Sequence, residues 1–171
     1  MQAIQTVTVG SGGQASIEFT DIPDTFTDLY IVSSIRNNRS AVGAEQKIYF
    51  NGNTSNFLTR YLGGEGASAA SGTISGRGFS GVENGNTSTA NTFASSTLHI
   101  PNYRSGVAKS FSSDSVQENN GASNMYIVAG SWSTTDAITS IKFDSGFDYL
   151  EHSTATLYGI LAGSDGTTTV T

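Results

Sequence analysis

The sequence predicts an all-β fold, an antiparallel β-sandwich of jelly-roll type with nine to ten short strands. Three observations predict it. Apolar residues recur with a period of two, and no window sustains the period of 3.6 that a long helix requires. Turn signals rich in Gly, Asn, Ser and Pro fall about every 8 to 15 residues. No helical crossover separates the strand-like segments, which excludes a parallel sheet.

Taken in order, Ser16 to Thr20 alternates cleanly and puts Ile17 and Phe19 on one face. Asp28 to Arg36 is apolar on both faces, with Leu29, Ile31 and Ile35 opposite Tyr30 and Val32, and reads as a central strand. Lys47 to Phe50 runs into Asn51-Gly52-Asn53, a hairpin-turn signal, and Asn56 to Leu62 reads as the returning strand. Further strands are expected at Phe93 to Ile100 (stopped by Pro101-Asn102), Val107 to Val116, Met125 to Ser133, Ile138 to Phe143 and Thr154 to Leu161. Alternation and bulk together assign the core to Ile17, Phe19, Leu29, Ile31, Ile35, Phe50, Ile127, Trp132, Ile141, Leu157 and Ile160.

The segment 63–92 differs. It is mostly Gly, Ser, Ala, Asn and Thr, with Ile74, Phe79 and Val82 as its large apolar residues, and reads as a long surface excursion. Glycine and serine let backbone lie close against another surface. Arg77 and Phe79 are side chains of the types enriched at interface hot spots, so the excursion is expected either to make the partner contact or to be a disordered surface loop. The sequence thus predicts one sandwich domain over 1–161, carrying this excursion, and a Gly/Ser/Thr tail at 162–171. No fixed-period repeat points to a propeller or solenoid.

Composition narrows the function. The chain has 171 residues and no cysteine, so disulfides, thiolate metal sites and cysteine nucleophiles are excluded. Charged residues make up 13% with a formal net charge of −6, and the eight basic residues lie scattered from Arg36 to Lys142. Phosphate backbones need clustered Lys and Arg, so nucleic acid is not an expected partner. Polarity comes instead from Ser, Thr and Asn, roughly a third of the chain. Met1 to Gly10 has neither a basic n-region nor an apolar core, and no stretch has the roughly 18 to 20 apolar residues of a membrane span, so neither signal peptide nor membrane is expected.

No motif for chemistry stands in its required context. Gly76-Arg77-Gly78-Phe79-Ser80-Gly81 matches G-x-G-x-x-G, but no helix follows and no acid lies between Glu83 and Asp114, so it reads as a flexible loop rather than a dinucleotide cradle. Only two histidines exist: His99 in a strand, with a structural role expected, and His152 after Glu151, with which it could pair. No serine stands in a nucleophile elbow. Asp144, Asp148 and Glu151 share a short loop, yet their spacing departs from the EF-hand pattern and fits a solvated acidic turn. Glu18 and Asp114 are the clearest acids within strands, and no spacing marks a glycosidase pair. The sequons at Asn38, Asn53 and Asn86 carry no weight without a secretory signal. No catalytic residue, metal or cofactor is expected.

Several segments resemble small virion proteins of tailed bacteriophages, best known among those of cyanobacteria. They are Ile17-Glu18-Phe19 through Ile22-Pro23, Thr25-Phe26-Thr27-Asp28-Leu29, Ile48-Tyr49-Phe50-Asn51-Gly52, Ile100-Pro101-Asn102-Tyr103 with Lys109-Ser110-Phe111, and Ser153-Thr154-Ala155-Thr156-Leu157-Tyr158-Gly159-Ile160. The resemblance implies a non-enzymatic β-sandwich of the virion, assembled in the bacterial host cytoplasm, used as a capsid decoration (cement) protein or in tail fibres. A chain without heptads or a shaft fits the decoration role better. Its expected partners are the major capsid protein and copies of itself, as a dimer or trimer. The alternative is a tail-fibre or tail-tip module that binds a host surface glycan.

Overall fold

A computed structural model describes residues 1–118 and 123–161; the expected tail at 162–171 lies outside them. The described residues form twelve strands and no helix. In chain order these are β1 (Gln2–Thr8), β2 (Ile17–Phe19), β3 (Asp28–Ile35), β4 (Gly43–Phe50), β5 (Phe57–Glu65), β6 (Ser68–Ser75), β7 (Gly78–Asn84), β8 (Ala94–Ile100), β9 (Lys109–Gln117), β10 (Asn124–Trp132), β11 (Ile141–Phe143) and β12 (Thr154–Ile160). They make an eight-stranded sheet, β1-β12-β3-β8-β9-β10-β5-β6, and a four-stranded sheet, β2-β11-β4-β7. Every ladder between named strands is antiparallel. The all-β sandwich expected from the period-two pattern is therefore the fold, with somewhat more strands than expected.

The core lies between the sheets and has two kinds of interior. One half is aromatic. Phe50 of the small sheet packs among Phe57, Phe111 and Trp132 of the large one, with ring centroids 5.4, 5.8 and 5.5 Å away. The other half is built from small polar groups. Ser33 and Ser96 hydroxyls lie 2.6 Å apart, and the Gln46 amide oxygen accepts from Ser96 and Ser80, both at 3.0 Å. Small side chains let the sheets approach closely there, and mutual hydrogen bonding offsets the cost of burying hydroxyls and an amide.

Nine of the eleven expected core residues are buried, from Ile17 to Leu157. Ile160 is only half-buried. Ile127 is 56% exposed, because Val128 and Trp132 of β10 hold the inward positions and strand parity turns Ile127 to the outside. The same parity governs β3. It is central, but its Tyr30 and Val32 face lies on the uncovered side of the large sheet, with Val32 41% exposed.

Two further differences concern connections. Asn51-Gly52 does not close a hairpin, since β4 and β5 belong to different sheets and the turn carries the chain across the sandwich. Asn51, at φ 52°, is fixed by tertiary bonds. Its Oδ1 accepts from the Thr139 and Ser140 N–H groups at 2.8 and 3.1 Å, and its Nδ2 donates to the Ala137 carbonyl at 2.7 Å.

The expected excursion over 63–92 is instead largely sheet. It supplies the end of β5, all of β6, and β7, in which every residue is buried. β7 pairs with β4 and lies against β8, β9 and β10. Its glycines are packing devices. A Cβ on Gly78 would collide with the Ile48 carbonyl, and one on Gly81 would collide with the Ser115 hydroxyl. Between Gln46 and Lys47 the register shifts, so Ser80 bulges and Gly81 takes a φ of 137°. The G-x-G-x-x-G match is therefore the start of a bulged edge strand of the small sheet, pressed against the large one.

Candidate functional site

Arg77 and Phe79, the expected contact pair, flank the start of β7 and go to different places. Phe79 is 3% exposed and packs edge-on to Tyr61 and Tyr126, with centroids 5.9 Å from each. It is a core side chain. Arg77 is exposed and paired with Glu45 at 2.9 Å. The structure does not bring the two together on a surface.

A wide concavity lies elsewhere, at one end of the sandwich, where four connections meet. It is an open groove of about 870 Å³ formed by Ser11-Gly12-Gly13, the residues after β3, the 86–93 loop and the 148–152 loop. Its size is that of a small-ligand site.

Arg36 builds one wall. It is 7% exposed, and its guanidinium donates to the carbonyls of Thr89 (2.7 Å), Thr92 (3.0 Å), Asn86 and Ser88 (both 3.1 Å) and to the Ser88 hydroxyl (3.0 Å). A buried cation needs partners, and here loop carbonyls serve in place of a carboxylate. The 86–92 loop is thereby clamped, and Arg36 has its donors committed to the protein.

The opposite wall is fixed by a reciprocal pair. The Asn38 amide donates to Asp148 Oδ2 at 3.2 Å, and the Asp148 N–H donates to Asn38 Oδ1 at 3.1 Å. The Leu150 N–H donates to the Arg36 carbonyl at 2.8 Å, tying the two walls together.

Beneath the groove lies a buried acid that sequence reasoning did not single out. Glu83 is fully buried in β7 and accepts from Asn37 Nδ2 at 2.8 Å and from the Tyr149 hydroxyl at 2.9 Å. Loss of hydration pushes its carboxyl up to about 7, against the opposing effect of these hydrogen bonds. The Tyr149 hydroxyl is raised as well, by burial first and by the neighbouring carboxylate second. No sequence signal could find this acid, because it requires knowing that β7 is interior.

The remaining expected candidates are dispersed. His99 Nε2 lies 3.4 Å from Asp28 Oδ2 on the outer face of the large sheet. His152 takes a φ of 72° in the groove's rim and donates its N–H to the Val9 carbonyl, and among the described ion pairs none joins it to Glu151. Asp144 accepts from the Gly146 N–H at 2.7 Å and lies 3.5 Å from Lys142 Nζ, apart from the Asn38-bound Asp148. Among the described residues no three His, Asp or Glu side chains converge as a metal site would require.

What the groove offers is therefore hydrogen bonding and one phenyl ring. Asn38, Asn86, Asn91, Asp148 and Glu151 are exposed on its walls, and Phe93 is half-buried among them. Amides and carboxylates of this kind exchange hydrogen bonds with neutral polyhydroxylated ligands, and a partly covered ring supplies an apolar platform. No protein-family model, curated protein or solved structure matches this chain.

Proposed function

We propose that the chain is a non-enzymatic structural protein of a tailed-bacteriophage virion, a decoration protein that binds the capsid through the outer face of its eight-stranded sheet. The observation that carries this reading is an uncovered apolar patch on that face. Leu62 and Ile127 are cross-strand partners, as are Met125 and Val116, so the four side chains are neighbours. Their exposures are 63, 56, 51 and 46%. Contiguous exposed apolar groups on an otherwise polar β surface mark a contact site. The sequence resemblance to phage virion proteins supports the same reading, and repeated copies on a symmetric shell would multiply a modest contact into a substantial stabilisation.

The test is occupancy of capsids lacking the protein, measured by particle cryo-electron microscopy after adding it back. L62S/I127S is expected to fold normally, since both side chains are exposed, and to lose most of its occupancy. Wild-type occupancy by that variant would overturn the reading.

A tail-borne, glycan-binding role is the second reading, and the groove is the observation that favours it. Under it, labelled protein would decorate tails rather than shells, and F93A/N38A would abolish binding to host surface glycan.

A further inference from the structure

The sandwich has four sheet edges, and three are protected. β2 has only three residues. β7 is buried along its whole length. β1 carries a register shift between Ala3 and Gln5. Short edges, covered edges and bulges are the devices that stop strands from pairing with another chain. The fourth edge, β6, has none of them. Its eight residues, Ser68-Ala69-Ala70-Ser71-Gly72-Thr73-Ile74-Ser75, contain no charge and no proline, and its pairing with β5 runs without a shift. Among the described residues nothing pairs with its outer side.

We propose that the outer edge of β6 pairs antiparallel with the same edge of a second copy, joining two eight-stranded sheets into one about a two-fold axis. A two-residue turn at Gly66-Ala67, with Gly66 at φ 56°, links β5 to β6. In such a hairpin the residues flanking the turn hydrogen-bond to each other, and pairing alternates from there. The backbone groups of Ala69, Ser71, Thr73 and Ser75 therefore point outward. Centring the axis on Gly72 sets Ser71 against Thr73 and Ala69 against Ser75, so all four outward residues find partners. The paired side chains are small and neutral, and nothing in the strip repels a copy of itself.

A two-fold axis perpendicular to the sheet keeps equivalent faces on the same side. The two patches of Leu62, Ile127, Met125 and Val116 would then lie on one surface, separated by the two β6 strands at about 4.8 Å spacing. This use of the dimer rests on the decoration reading; the pairing does not.

Sedimentation equilibrium of the purified chain, without capsids, tests the pairing. Wild type is expected at the mass of two chains at micromolar concentration. S71P removes an outward N–H without touching a β5–β6 bond and is expected to give single chains. T73K places like charges across the seam and is expected to weaken the dimer at least about tenfold. Near-ultraviolet circular dichroism from buried Trp132 reports that each variant is folded. A wild type that sediments as one chain, a dimer that survives both substitutions, or a ladder of larger species would each overturn the proposal. A dimer abolished by S71P, in a protein that never occupies capsids, would overturn the decoration reading alone.

Discussion

Glu83 shows how a single residue can tie stability to pH. Its folded-state carboxyl titrates near 7, against an ordinary value of 4.5, and burial is the main cause. A raised carboxyl pKa favours the protonated fold. The associated stability is complete below about pH 4.5, declines as pH rises towards 7, and is flat above. The shift corresponds to about 3 kcal/mol across that window. E83Q, whose amide can still serve Asn37 and Tyr149, is expected to remove this decline. Urea melts at pH 5 and pH 8 check it: the wild-type-minus-E83Q difference in unfolding free energy should fall by roughly that amount, and a difference that is flat with pH would refute it. The inside and outside of the strands offer a second contrast at this scale. L157A should cost about 2 to 5 kcal/mol, because Leu157 is fully buried, whereas I127A should cost under about 0.5 kcal/mol.

At the scale of elements, β7 shows why a glycine-rich stretch can be interior. Its Gly78 against the Ile48 carbonyl, and its Gly81 beside the bulge at Ser80 and against the Ser115 hydroxyl, fit only residues without a Cβ. G81A meets both a collision and a φ of 137°, and is expected to destabilise by about 1 to 3 kcal/mol or more. S115G should recover only part of that loss, since it relieves the collision and leaves the backbone strain. Full recovery in a thermal melt would locate the problem in packing alone. Replacing 63–92 with a short Gly-Ser linker is expected to abolish folding, because β4 would lose one of its two partners, the large sheet would lose β6, and β8, β9 and β10 would lose the strand packed against them. A folded, cooperative deletion variant would show β7 to be dispensable.

For the whole molecule, the topology joins strands far apart in sequence. β3 sits between β12 and β8, and β1 pairs with β12, so the halves of the large sheet close only when both ends of the chain arrive. Loop-closure entropy must be met before those contacts form, and sandwiches of this kind fold in about milliseconds to seconds. Stopped-flow refolding followed by Trp132 fluorescence is expected in that range, and a microsecond phase carrying the full amplitude would contradict it.

The sequence by itself determined the period-two code: the fold class, the strands from Ile17 to Leu157 outside 63–92, and most of their inward faces. Alternation is local, so it survives reading one strand at a time. Three things were decided only by the tertiary structure. Which side of β10 faces in depends on the facing sheet, and so Ile127 was assigned to the core while Val128 occupies it. Whether a turn closes a hairpin or crosses the sandwich depends on which partners β4 and β5 find, and Asn51 carries the same turn chemistry in both cases. The 63–92 segment reads as polar and flexible because β7 derives its burial from neighbours that leave no room for side chains, and small residues carry no hydrophobic signal of their own. The groove was illegible for the same reason. The segment of Arg36 and Asn38, Phe93 and Asp148 lie far apart in the chain, and they meet only where four loops converge at one end of two stacked sheets.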